Sequence, residues 1–198
     1  MRNQATRAVF DYWINLKGDR AAPLRTEIDP TALRHLLPHL FIAAMDERGV
    51  LAFRLAGTRI CDLFGYELRG MAFNQIWFGA EQPQPLYIAQ NVIRHEQPAL
   101  VDLVAVTADA RQAYEMLLLP LRSTDGRESD RLFGALLPRG APFPAVALPV
   151  DGLEMESWTF LTGGASHFGV PVTVDQKGPL RAFPQQPASG LPAQGRKF

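Results

Sequence analysis

Apolar positions along this chain recur at helical spacing near both its start and its middle, and alternate with polar ones in the runs between. Ala5–Leu16 places Val9, Trp13 and Leu16 on one side, with Phe10, Tyr12 and Ile14 nearby, and predicts an amphipathic helix that Lys17-Gly18-Asp19 ends. Asp29-Pro30 pairs an N-cap residue with one preorganised for a first turn, and predicts a helix with Leu33, Leu36 and Leu37 on its apolar side. Pro38 closes it. Leu40–Met45 and Val50–Ala56 predict strands joined by a hairpin turn over Asp46-Glu47-Arg48-Gly49. Across Phe53–Gly70 the alternation gives way to a helix. Gly57 breaks the strand by entering positive φ, Thr58 is placed to cap, and Ile60, Leu63 and Phe64 share one face. Gly65 suits a left-handed stop. A short aromatic-rich helix over Phe73–Phe78 and a longer one over Pro85–Glu96 follow, the latter with Leu86, Ala89, Val92 and Ile93 on one side. Three further strands are predicted over Ala99–Thr107, Gln112–Arg122 and Arg131–Arg139, with Pro120 marking an edge or a bulge.

From Gly140 the chain becomes proline-punctuated, and after Thr162 it loses periodicity. The organisation read from this is an N-terminal helical extension over 1–39, a core over 40–139, a C-terminal extension over 140–161 and a disordered tail over 162–198. Leu153–Leu161 is expected to add a short strand or helix. A hydrophobic fraction of 47% is ample for a core, and 20 basic residues balance 20 acidic ones. Zero net charge gives no general attraction to nucleic acid or anionic lipid. The single cysteine, Cys61, cannot form an internal disulfide and suits a reducing cytoplasm. The start of the chain lacks the apolar core of a signal peptide, and no run is long enough to span a membrane.

The run FRLAGTRICDLFGYELRGMAF, with DYWINLKGDRAAPLRTEIDP and LLPHLFIAAMD before it, resembles a bacterial subfamily of stand-alone PAS-like proteins. The resemblance covers Phe10–Arg139 and extends towards Leu161. It implies an α+β fold: a five-stranded antiparallel PAS-like sheet with small helices on one face and an N-terminal helical extension. It further implies a sensory or regulatory module that works through protein contacts, gated by a small ligand, with its output passed to another signalling protein. The scaffold implies a cavity that Phe53, Leu55, Ile60, Leu63, Phe64 and Phe73 would line together with Ile76, Trp77, Ile93, Val104 and Leu117. A filled hydrophobic core is the competing reading of the same residues. The N-terminal helix either packs on its own sheet or serves as a partner or homodimer surface through Tyr12 and Trp13, and its removal is expected to leave a folded domain that no longer self-associates or binds its partner.

Chemistry is sparse. His35 and His39 stand four apart but are separated by Pro38, and no further ligand completes a metal set. Haem-binding PAS domains ligate iron through a histidine on the long helix, where His95 lies, although an imidazolium near a helix end gains from the dipole without any cofactor. Cys61 sits in Arg59-Ile60-Cys61-Asp62, which departs from the asparagine–cysteine–arginine–phenylalanine run of flavin photosensors. No phosphate-cradling loop or nucleophile elbow occurs, and the adjacent Ser166-His167 define no triad. Arg54 and Glu115 are charges inside apolar strands, read as solvent-facing, with a cavity or partner as the alternative. The identity of any cofactor stays open. Two rival readings remain: a sensor defined by a bound cofactor, and a small-molecule enzyme on an α+β scaffold.

Overall fold

In the computed structural model, which describes residues 1–78, 83–123, 128–140 and 148–161, six strands make one antiparallel sheet. They are β1 (Leu40–Met45), β2 (Leu51–Ala56), β3 (Ala99–Val106), β4 (Arg111–Arg122), β5 (Ser129–Pro138) and β6 (Gly152–Phe160), in the spatial order β2-β1-β5-β4-β3-β6. Three helices accompany them: α1 (Gln4–Lys17), α2 (Thr58–Phe64) and α3 (Gln84–His95).

The predicted sheet of five strands gains a sixth. β6 lies beside β3, with Ala99 opposite Phe160 and Val106 opposite Gly152. Its register shifts opposite Asp102 and Leu103, so Leu153 and Met155 are separated from Trp158 and Phe160 by an odd step. That bulge breaks the period of two that identifies a strand in sequence. The helix expected from Asp29-Pro30 is replaced by isolated turns. Asp29 does accept the Thr31 N–H at 2.8 Å, and Leu33, Arg34 and Leu36 each bond back three residues, but the one 3-10 helix in this run is Leu37–His39. Between Pro30 and Pro38 the run is too short to offset the cost of helix nucleation.

Strand alternation divides the core into two layers. In β4, Met116 and Leu118 point to the side of α2 and α3, while Leu117, Leu119 and Leu121 point to the side of α1. The first layer is centred on aromatic rings: Phe41 and Phe53 have centroids 5.5 Å apart, Phe53 and Phe73 5.7 Å, Phe73 and Trp77 6.0 Å. The second is closed by α1 through Val9 and Trp13. Pro120 lies beyond the end of the β3 pairing at Ala99–Leu118, where a missing N–H costs no ladder bond, and the β4–β5 register shifts just after it, between Leu121 and Arg122.

The stretch from β2 into α2 differs from its sequence reading in two ways. Gly57, not Thr58, is the N-cap, and Thr58 occupies the first helical position without a side-chain capping bond. Gly57 has φ −70° and ψ 156°, an extended conformation open to any residue, so positive φ is not why glycine stands there. Gly65 does stop α2 in the left-handed region, at φ 78°. The apolar face of α2 is buried as expected. Leu63→Ala or Phe64→Ala should therefore lower stability by about 2–5 kcal/mol, read from chemical denaturation midpoints. A loss under about 1 kcal/mol would mean the face is not packed.

Candidate functional site: a cleft at the end of β5

Pairing of β1 with β5 stops at Leu40 opposite Ala135, whereas β5 continues along β4 to Pro138. The three residues Leu136–Pro138 are thus left without a β1 neighbour. The Leu37–His39 turn, α2 and the start of α1 surround this end of the strand. They enclose a cleft of about 700 Å³, inside the usual range for small-molecule sites. Ile60, Leu63, Leu136, Leu137 and Leu148 give it apolar walls. Arg2, Gln4, His39, Arg59, Asp62, Tyr114 and Arg139 supply its polar groups.

The start of α1 is fastened to this end of the sheet. Asn3 caps the helix by accepting the Ala5 N–H at 2.8 Å, and its amide donates to the Pro138 carbonyl at 2.9 Å. Glu115 on β4 is fully buried and accepts the backbone N–H groups of Arg2 and Asn3, each at 3.0 Å. The solvent-facing reading of Glu115 is therefore overturned. The first N–H groups of a helix lack intrahelical acceptors, and a carboxylate placed there satisfies them while complementing the helix dipole. Arg54, by contrast, is exposed.

Other wall groups carry their own electrostatics. Burial holds the His39 imidazole below its ordinary range; the backbone of Leu136 acts in the opposite direction, and the nearby Arg59 charge adds to the lowering. Burial pushes the Tyr114 phenol up. Arg139 donates to Asp102 at 3.2 Å and to Glu156 at 3.0 Å, yet its Nε is buried without an acceptor among the described residues. The guanidinium groups of Arg2 and Arg59 have no hydrogen bond or ion pair among the described residues.

Of the residues expected to line a cavity, only Ile60 and Leu63 reach this cleft. Phe53, Phe64, Phe73, Ile76, Trp77 and Ile93 pack against one another in the inner core, which is the filled-core alternative. Trp77 also touches a smaller recess of about 390 Å³ beside β6. Leu117 lies in the layer beneath α1, on the opposite side of the sheet from that core, because odd-numbered positions of β4 face outward. Val104, an even-numbered position of β3, is buried but belongs to neither layer. Leu55 is 50% exposed and lines neither cavity: the β1–β2 register shifts opposite Ile42 and Ala43, so Arg54 is an extra residue and Leu55 leaves the face that Phe53 keeps.

Trp13 is fully buried and its indole N–H donates to the Pro120 carbonyl at 2.9 Å, so its ring is occupied by its own domain. Tyr12 is half-buried, with its hydroxyl accepting the Asp29 N–H at 2.7 Å. His95 is exposed on the last turn of α3 and does not face the interior; the residues present do not fit an axial haem ligand there. Cys61 is half-buried, and burial chiefly raises its thiol pKa, which weakens it as a nucleophile. His35 is exposed and accepts from Arg34, while His167 lies outside the described residues, as does the tail over 162–198. No cluster of three metal-ligating side chains occurs among the described residues.

At the far end of α3, Glu96 has φ 50°, and its carboxylate receives both Nε and Nη2 of Arg122 at 2.8 Å and the Ser129 hydroxyl at 2.8 Å. The Arg122 hydrogen bonds hold the Glu96 carboxyl below its ordinary range. This clamp sits at the Arg122–Ser129 end of the β4–β5 ladder, whereas the cleft lies at its Tyr114–Pro138 end.

The family model for the PAS domain matches residues 1–137, and the chain belongs to that family. Among solved structures, a light-oxygen-voltage domain studied with a flavin analogue is 17% identical, over 56% of this chain and 83% of its own, with a TM-score of 0.43. The light-state structure of the blue-light photoreceptor Aureochrome1 LOV is also 17% identical, over 56% of this chain and 88% of its own, with a TM-score of 0.41. No curated protein matches the chain. The described helices include none long and apolar enough to cross a membrane. The class this defines is a PAS sensory module.

Proposed function

We propose that the protein is a cytoplasmic, non-enzymatic regulatory module that takes a small molecule into the cleft at the end of β5 and passes the event to another signalling protein. One observation carries this reading: the same cleft is walled by core residues and by the start of α1. Ile60, Leu63, Tyr114 and Leu136 belong to the inner core cluster, while Arg2, Asn3 and Gln4 open α1. A ligand lodged there touches the packed interior and the helix on the other face of the sheet at once. Such a ligand has differential contacts with any two positions of α1, which is what a population shift requires.

The test uses the full-length protein. Native mass spectrometry of the protein as isolated, with a thermal-shift screen of diverse small molecules, should find a ligand that the exposed-site variant Gln4→Trp binds less well. Hydrogen exchange at the α1 amides should then change on binding. No bound molecule and no stabilising compound would sink the ligand reading. Binding without any change in α1 would sink the coupling to that helix.

A further inference from the structure

We infer that the ligand of this cleft is a small amphiphilic anion, its carboxylate or phosphate head held by Arg2 and Arg59 and its apolar body laid against Leu63 and Leu136. This rests on the ligand-binding reading above and adds the chemistry of what binds.

The first ground is the balance of free charge. Arg2 comes from the segment leading into α1 and Arg59 from α2, and both are exposed at the cleft with unpartnered guanidinium groups among the described residues. The lining carboxylate is Asp62, also exposed. The charge of Arg139 is already met by Asp102 and Glu156, and Glu115 is buried against the start of α1. What remains is a surplus of positive charge in two planar forks, the geometry that grips carboxylate and phosphate oxygens in pairs.

The second ground is independent of the exposed arginines. Arg139 lines the cleft, and its Nε is a buried donor with no acceptor among the described residues, a costly condition for a native structure. An oxyanion reaching that nitrogen would supply the missing acceptor. A negative charge beside His39 would favour the charged imidazole that burial and Arg59 disfavour. The third ground is the split in burial: Leu63 and Leu136 are buried where Arg2 and Arg59 are exposed, which suits a ligand with an apolar and a charged end.

The experiment is calorimetric titration of the full-length protein with octanoate, octyl phosphate, 1-octanol and octylamine at fixed ionic strength. The same titrations are made on Arg2→Gln, Arg59→Gln and the double variant; both sites are exposed, so folding should be retained. One or both anions should bind, the two arms telling carboxylate from phosphate, and the double variant should lose at least about tenfold in affinity. Octanol binding as tightly as the anions, or anion binding unchanged in the double variant, would overturn the inference. The first of those outcomes leaves a ligand-binding cleft in place. If none of the four binds, the anion inference falls, and the mass-spectrometric search on the protein as isolated judges the ligand reading separately.

Discussion

Trp13→Ala should cost about 3–5 kcal/mol, and deletion of Met1–Leu16 should leave a chain without a cooperative folding transition. The sequence reading expected the opposite of the deletion, with α1 a detachable partner surface. Burial is the ground for the present expectation. Trp13 and Val9 are both 0% exposed, and they cover Leu117, Leu119, Leu121, Phe133 and Leu137 on the outer face of the sheet. Removing the helix would bare that face, whose strand positions are apolar because α1 is there. Phe10 stacks on Trp13 at 6.3 Å and Lys17 lies 5.9 Å from its ring, so the indole is held from several sides. Its N–H bond to the Pro120 carbonyl is a smaller part; Trp13→Phe, which removes that bond and some ring volume, should cost about 1–3 kcal/mol, less than the alanine. Urea denaturation of the two substitutions, with circular dichroism and light scattering of the truncation, checks this. A truncated protein that unfolds cooperatively, as a monomer, near the full-length midpoint would restore the detachable helix.

This reversal shows what periodicity can and cannot convey. The spacing of Val9 and Trp13 identified a helix with an apolar side, but a stripe of apolar residues does not name the surface it meets. β1 and β2 were legible as short apolar runs on either side of a turn, despite the register shift opposite Ile42 and Ala43, and β6 was obscured by the bulge opposite Asp102. The cleft was less legible still. It exists because β1 stops pairing at Leu40 while β5 runs on to Pro138, a matter of relative register that neither strand records alone. Its polar groups come from five separate places: the start of the chain, the Leu37–His39 turn, α2, the start of β4 and the end of β5. Nothing in the sequence singles out Arg2, Arg59 or Arg139. Glu115 was the one visible signal, a carboxylate inside an apolar strand. Its meaning depended on the N–H groups of Arg2 and Asn3, more than a hundred residues away, being folded back against it.

Gly57→Val should fail to fold, and Gly57→Ala should lose stability at or beyond the top of the about 1–3 kcal/mol typical of overpacking. The reason is proximity, not backbone conformation. Gly57 is buried where β2 passes into α2, and its N–H donates to the Leu40 carbonyl at 2.8 Å. Its carbonyl receives Ile60 and Cys61 at 2.9 and 3.1 Å, so the residue is fixed on both sides. A Cβ there would lie closer than 3.0 Å to the carbonyl oxygens of Leu37 and Pro38. Those are backbone atoms of the turn that carries His39 into the cleft wall, and they cannot swing aside as a side chain would. The two explanations for glycine make different predictions. If positive φ were required, asparagine would be the best tolerated replacement, since it enters the left-handed region with least strain. If space is limiting, alanine should be the least harmful and asparagine should be worse, with valine worst. Thermal and urea unfolding of the three variants ranks them. Alanine within about 0.5 kcal/mol of the parent would show that the turn has room to give, and that the close approach of Gly57 to Leu37–His39 does not constrain this sequence.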